Sequence, residues 1–359
     1  MQNNMDLKLS DREWKQFKLA SIFKIENCKC SKVSGLQKGT TPYVGATNRN
    51  NGVMNFVKAD KKLITKGNCL AFICDGEGSV GYSIYKAEDF IGSTTVKVGR
   101  NEKLNKYNAT FITTIADTVR SKYNFGFKRN ETHLKNEILM LPANTKGEPD
   151  FEFMEAFMKQ KEQEKIEEYN NYISQRISAL KNIKSVVPIE EKEFLEFEIE
   201  KLFNVKSGSR LTKADMKKGI KPFIGATDSN NGITAFVSNS NSSVDSNVLG
   251  VNYNGSVVEN FYHPYKAIFS DDVKRLSFKE IESNKHLFLF VKTQILKQKA
   301  KYQYGYKFNG TRMNRQKIML PVNDKNQPDY DYMENYMKQL EYEKLNEYLT
   351  KKKNIKTNT

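Results

Sequence analysis

Two hydrophobic periods alternate along this chain. Over roughly 12–148, and again over 192–327, apolar residues come in short strand-sized runs such as Leu70-Ala-Phe-Ile-Cys74. Asn-Gly, Gly-Asn and Asp-Gly pairs separate them, which is the punctuation of turns between β-segments. Over about 150–184 and 329–353 the period lengthens. Met154, Phe157, Ile166, Tyr169, Ile173, Ile177 and Leu180 lie at helical spacing among Lys, Glu and Gln, and Met333, Tyr336, Met337, Leu340, Leu345, Tyr348 and Leu349 repeat the pattern. Each stretch follows a Pro-Asp pair, so a carboxylate stands where the first turn of a helix has unbonded N–H groups. Two amphipathic helices with a coiled-coil-like seam are expected. The simpler alternative is that each helix packs only on its own β-rich part.

The alternation is a tandem repeat. Pro42-Tyr-Val-Gly-Ala-Thr47 with Asn50-Asn-Gly52 returns as Pro222-Phe-Ile-Gly-Ala-Thr227 with Asn230-Asn-Gly232, 180 positions later. Downstream, at an offset of 179, Tyr123-Asn-Phe-Gly-Phe-Lys128 matches Tyr302-Gln-Tyr-Gly-Tyr-Lys307, and Met140-Leu-Pro142 matches Met319-Leu-Pro321. One module is used twice. The expected fold is α+β: a β-rich domain over 1–149, a central helix over 150–187, a second β-rich domain over 188–328, and a C-terminal helix with a basic tail over 329–359. The second β-rich domain follows the first helix directly and ends where the second helix begins. If the two seams pack together, the helices run antiparallel as spacers and the modules form a pseudo-two-fold inverted pair. At 1.5 Å per residue such helices would hold the two modules ~35–50 Å apart, the length of ~10–15 base pairs of B-DNA.

Composition narrows the partner. Of 359 residues, 58 are Lys or Arg and 42 Asp or Glu, a net charge of +16. A surplus of that size points to a polyanion, with nucleic acid first and an anionic membrane surface second. No apolar run approaches the ~20 residues of a membrane span. The first five residues are polar and lack the apolar core of a signal peptide. All four cysteines (Cys28, Cys30, Cys69, Cys74) fall in the first quarter of the chain, a poor disulfide framework, so a reducing cytoplasm is expected.

Enzyme readings find little purchase. Gly76-Glu-Gly-Ser-Val-Gly81 fits a dinucleotide or S-adenosylmethionine loop only if a helix follows, and Tyr82-Ser-Ile-Tyr85 is strand-like. Four cysteines would suffice for zinc, but the second copy has none. His133, His263 and His286 occupy unrelated places in the two copies, so no shared nucleophile–base pair can be drawn. The Pro-Asp pairs read as helix starts rather than as part of a metal-dependent nuclease site. No catalytic residue, metal or cofactor is assigned to this chain.

The DNA-binding candidates interleave cations, amides and aromatics. Around Gly126 stand Arg120, Lys122, Tyr123, Asn124, Lys128 and Arg129. Around Gly305 stand Lys301, Tyr302, Gln303, Tyr304, Lys307, Arg312 and Arg315. Amides bond adenine bidentately, Arg bonds guanine, and Lys meets phosphate. Some of the rings are expected in the core, with Lys122, Lys128, Arg129 and Lys307 near phosphates. Arg49, Asn50 and Asn230 lie in Asn-rich loops; the shared Asn-Asn-Gly reads first as turn chemistry, so Arg49, opposite Ser229, is the better candidate for specificity. Arg210 and Asn252 complete the set. The segment 58–108 differs strongly from 238–287 while the flanks agree, so two modules would read different half-sites of a bipartite, asymmetric sequence.

Taken in order and twice over, Pro-Tyr/Phe-Val/Ile-Gly-Ala-Thr with Asn-Asn-Gly, the Gly-Ser-Val turn, and the Gly126 and Gly305 segments leading into Met-Leu-Pro resemble the specificity (S) subunit of type I restriction–modification systems, or the similar, shorter S subunit of type IIB systems. The resemblance covers essentially the whole chain. It implies two target-recognition domains, each followed by a spacer helix, and a non-catalytic protein that directs partners to double-stranded DNA. Those partners are methyltransferase subunits, which bind S-adenosylmethionine and are fused with or joined by a restriction subunit; in type I systems Mg2+ and ATP also act through the partners. The short helices here depart from the common type I pattern toward the compact type IIB form. The open alternatives are a self-sufficient nuclease or methyltransferase on a tandem fold, and an S-like interaction protein that reads no DNA.

Overall fold

A computed structural model describes residues 6–357 apart from 77, 125, 181–182 and 304, and only the backbone from 352 onward. The chain is an α+β protein in two units, Met1–Asn171 and Tyr172–Thr359. In the first, strand Trp14–Lys18 pairs antiparallel with Ile138–Pro142, tying the start of the β-rich part to its end. Between them lies an antiparallel sheet ordered Lys24–Asn27, Val96–Arg100, Cys69–Ile73, Ser83–Lys86. A second sheet is ordered Val53–Val57, Lys38–Val44, Phe90–Gly92, Ile64–Thr65, with its middle pair parallel. The second unit repeats this plan. Phe194–Glu198 pairs with Lys317–Pro321, one sheet runs Phe203–Ser207, Val273–Phe278, Val248–Asn252, Asn260–His263, and the other runs Ile233–Val237, Lys218–Ile224, Ile268–Phe269.

Strand Cys69–Ile73 shows why an uninterrupted apolar run was needed. It is buried along its whole length, and successive side chains serve opposite faces. Leu70 and Phe72 join a core with Phe23, Phe111, Ile112, Leu139 and Met154. Cys69 and Ala71 join another with Cys28, Val44, Phe90 and Val98. The cysteines are therefore core residues, all free and buried. Burial pushes the Cys69 thiol up to about 12 and that of Cys74 to about 11. Gly76 and Gly81 have φ of +105° and +94°, and the chain between them turns directly back into Ser83–Lys86. This is a hairpin connection, not a strand-to-helix phosphate loop.

Helices begin where short polar side chains can cap them. Asn105 accepts from the Tyr107 and Asn108 N–H groups to start Lys106–Ala116, and Asn284 does the same for Lys285–Leu296. The Pro-Asp pairs act as expected. Asp150 accepts from Phe153 N at 2.9 Å and Asp329 from Tyr332 N at 2.9 Å. Their second oxygens are held by Arg12 and Lys192, 2.8 and 2.7 Å away, from matching positions of the two copies.

The long helices are Phe151–Ala179 and Tyr330–Thr357. The first stops short of the expected 184–187. Pro188 disfavours helical backbone at Val187, which excludes the far end of that range. The helix's opening turns bury Phe153 and Met154, its last turns bury Ile173, and Leu180 just beyond its end is buried as well.

Candidate nucleic-acid interface

The Asn-Asn-Gly loops are turns with no regular alternative. Asn50, Asn51 and Gly52 have φ of 49°, 51° and 77°, and Asn230, Asn231 and Gly232 have 51°, 53° and 77°. Three successive left-handed residues tolerate Asn and Gly and little else. In the first unit the fully buried Lys86 props the turn, its Nζ 3.5 Å from the Asn51 carbonyl and 2.5 Å from Glu88. In the second, Asn231 Nδ2 donates to Tyr265 Oη at 3.0 Å. Asn50, Asn230 and the divergent Arg49 project from these turns into solvent.

Around Gly126 the candidates separate. Arg120 is exposed and stacks over Tyr82, 3.8 Å from its centroid, and Lys122 is exposed beside it. Lys128 is exposed but bonds Asp75 at 2.7 Å, which holds that carboxyl below its usual range. Asn124 folds its carbonyl oxygen back onto the Gly126 and Phe127 N–H groups. Tyr123 stacks on Phe127 and donates its hydroxyl to Glu137 at 2.9 Å. Burial, then the Glu137 carboxylate, pushes that phenol up.

Arg129 does not belong to a DNA surface. Its side chain is fully buried, forks onto Glu137, and gives its remaining donors to the carbonyls of Gly81 and Tyr82 and to Ser83 Oγ. A phosphate would have to compete with a saturated, desolvated pair. Asn252 is also removed from the candidates. It is 1% exposed, and its Nδ2 donates to the Thr227 carbonyl, so it anchors the loop that carries Asn230 rather than meeting a base.

In the second unit several candidates converge. Lys301, Tyr302, Arg312 and Arg315 line one surface cavity of about 580 Å³ with Glu196, Gln298, Tyr306, Gln316, Lys317 and Met319. Tyr302 and Tyr306 stack 5.7 Å apart at 12°. The Arg312 guanidinium lies 3.7 Å over the Tyr306 ring and donates to the Lys307 carbonyl. Tyr302 Oη donates to Gln316 Oε1 at 2.7 Å, and Gln316 Nε2 donates to Gln298 Oε1 at 3.2 Å. Gln303 is exposed beside this wall, Lys307 is half-buried, and Arg210 stands apart near Asp271. Tyr304 lies outside the described residues. A larger cavity of about 1010 Å³ beside Arg12 and Asp150 surrounds a carboxylate already committed to its cap and its ion pair.

Three kinds of residue escaped the sequence reading. Lys317, Gln298 and Gln316 approach the cavity from other elements. Tyr306 was read only as part of the repeat. Ile220 is 94% exposed on a bulge where Lys218 and Lys221 both face Val237. A local signal existed for Ile220 alone: an isolated Ile set among Lys217, Lys218 and Lys221.

Comparison with known proteins supplies the context for these surfaces. A family model described as "Type I restriction modification DNA specificity domain" matches twice, over residues 11–171 and 191–350. The chain is 41% identical over 302 residues to the specificity subunit of a type II restriction enzyme from Heyndrickxia coagulans, spanning 84% of this chain and 86% of that one. It also superposes on the S subunit of a type I restriction–modification system from M. genitalium. That match has a TM-score of 0.51 at 13% identity and covers 98% of this chain and 96% of the other, a likeness of fold.

Proposed function

The chain belongs to the family of type I restriction modification DNA specificity domains, of which it carries two copies, and from that premise we propose that each copy reads one half of a bipartite, asymmetric DNA sequence for a restriction–modification complex. The observation that carries this reading is the pairing of a common scaffold with different surfaces. The bulged hairpin, the Asn-Asn-Gly turn, the Asn-capped helices and the Tyr stack recur at matching positions. Arg49 against Ser229, and 58–108 against 238–287, do not. The shared scaffold fixes how a module seats on a duplex, and unshared positions such as Arg49 and those of 58–108 decide which bases it accepts.

In this reading the chain performs no chemistry. It binds double-stranded DNA in the cytoplasm and recruits methyltransferase subunits, which hold S-adenosylmethionine and are fused with or joined by the restriction subunit. Its 41% identity to a type II enzyme's specificity subunit supports the compact arrangement over a full type I complex with its ATP-driven partner. The helix Phe151–Ala179 has 29 residues, about 43 Å at 1.5 Å per residue. With Tyr330–Thr357, it would serve as both spacer and dock.

Mapping methylated bases in the host genome, with and without the gene for this chain, tests the proposal. Loss of methylation at a motif made of two defined halves and an undefined gap is expected. Persistence of every methylated motif, or activity of the isolated chain on DNA with metal or S-adenosylmethionine alone, would overturn it.

A further inference from the structure

The two modules treat one matching surface in opposite ways. At the offset of 179, the wall of the second-unit cavity maps onto the first unit position by position. Lys301, Tyr302 and Tyr306 correspond to Lys122, Tyr123 and Phe127, but Arg312, Arg315 and Lys317 correspond to His133, Asn136 and Ile138. The cavity in the second unit has four cations around one carboxylate, Glu196. Lys317 is paired with Glu196 at 3.0 Å. Among the described residues, Lys301, Arg312 and Arg315 have no carboxylate within ion-pair distance. At the matching positions of the first unit Lys122 is the one cation, and Phe127 stacks against His133 at 4.3 Å.

The interior beneath this surface differs as well. In the first unit this wall is backed by Glu137, the buried partner of Arg129. In the second, Phe308 stands in place of Arg129 and Gln316 in place of Glu137, and both are buried. Both interiors are net neutral, an ion pair in one module and a Phe–Gln pair in the other, so the difference in charge lies in the surface residues Arg312, Arg315 and Lys317. The wall is also pre-shaped. Gln316 is fixed by Tyr302 and Gln298, and Arg312 by the Tyr306 ring and the Lys307 carbonyl, so little side-chain freedom is left to lose on binding.

We propose that this cavity is a clamp for the DNA sugar-phosphate backbone present in the second module only, so that the two half-sites are gripped unequally: the second module supplies much of the sequence-independent affinity, and the first depends more on its base contacts. This rests on the specificity-subunit reading. Guanidinium groups suit phosphate oxygens because they offer two donors in a plane, and each phosphate so neutralised releases counterions and steepens the salt dependence of binding.

The test uses the full complex of this chain with its modification subunits and a duplex carrying both half-sites, with affinity followed from 50 to 300 mM KCl. The double variant Arg312→Ala/Arg315→Ala should lower the slope of log affinity against log salt by about 2. Its methylated motif should stay the same. Arg312→Lys/Arg315→Lys should keep the slope, and His133→Ala/Asn136→Ala in the first module should leave it unchanged. Arg315→Ala alone removes an exposed side chain, so folding is preserved, and a fall of about 1 is expected. Sequence-specific binding by the wild-type complex with no change of slope in either Arg-to-Ala variant overturns the clamp and leaves the family reading intact. A wild-type complex that binds no duplex overturns both.

Discussion

Arg129 and Glu137 form a bidentate pair with side chains 0% and 3% exposed, beneath a surface whose neighbours Lys122 and Lys128 do face solvent. Removing one partner of such a pair strands a charge. Arg129→Ala should therefore cost about 3–5 kcal/mol, read as a fall in the urea midpoint of unfolding. The second module shows the alternative. Arg129→Phe with Glu137→Gln copies its Phe308 and Gln316 and should stay within about 2 kcal/mol of wild type. If the single and double variants were equally destabilised, pairing would not be what holds Arg129. At the turns, Asn51→Gly should be tolerated, whereas Asn51→Val forces a β-branched residue into left-handed backbone and should cost roughly 1–2 kcal/mol, visible in thermal melting. Arg49→Ser, which borrows the residue of the other copy, should relax base preference at one position of one half-site, seen in a randomised-site selection; a pattern unchanged at every position would remove Arg49 from the specificity set. The burial of Arg129 was legible in principle, because its counterpart in the repeat is a phenylalanine. Read as part of Lys128-Arg129-Asn130, it looked like one more surface cation, since its partner lies eight residues away on the far side of a short helix.

Among the elements, the end of the first long helix is fixed by one carboxylate. Arg176 forks onto Glu341, with Nε and Nη2 3.0 and 2.9 Å from its oxygens. Lys285 and His286 from helix Lys285–Leu296 bond the same group at 3.0 and 2.7 Å. Burial alone would raise the Glu341 carboxyl, but hydrogen bonds from His286, Lys285 and Arg176 outweigh it and bring it down to about 2. Burial lowers His286 despite its carboxylate partner. Both shifts have the same sign for stability. A depressed carboxylate stabilises above its unfolded value near 4.5 and loses that contribution as pH falls toward 2. A depressed imidazole likewise costs stability once pH drops below its unfolded value near 6.5. The second unit should therefore weaken in two steps on acidification, first below about pH 6.5 and again below about 4.5. Glu341→Gln should be less stable at neutral pH by roughly 1–3 kcal/mol and show a smaller lower step, as denaturant titrations at pH 7, 5 and 3.5 would show. Equal pH dependence of variant and wild type would exclude Glu341 as the titrating group. Helical periodicity made Ile173, Ile177 and Leu180 readable as a seam. The Arg176–Glu341 contact joins residues 165 positions apart, and no local pattern announces it.

At the scale of the whole molecule, the prediction is modularity. Replacing 58–108 with the corresponding segment of another specificity subunit should change one half of the methylated motif and leave the other half and the gap alone. The exchanged segment carries strands Ile64–Thr65, Cys69–Ile73, Ser83–Lys86, Phe90–Gly92 and Val96–Arg100, whose buried faces complete the cores of the first unit. A donor segment must therefore match those faces, and a folded chimera altered in both halves would refute modular readout.

What the sequence determined by itself was the repeat, the alternation of β-rich and helical parts, the Asp caps of the long helices and the Asn-Asn-Gly turns. Each rests on local rules: period, capping geometry and tolerance of left-handed backbone act within a few residues, so a linear pattern suffices. The tertiary structure decided which of the many cations are free to meet DNA. It buried Arg129, tied Lys128 to Asp75, turned Asn252 inward, and brought Lys301, Arg312, Arg315 and Lys317 around one cavity. Exposure and ion pairing are set by neighbours distant in the chain, and the net charge of +16 carries no information about them.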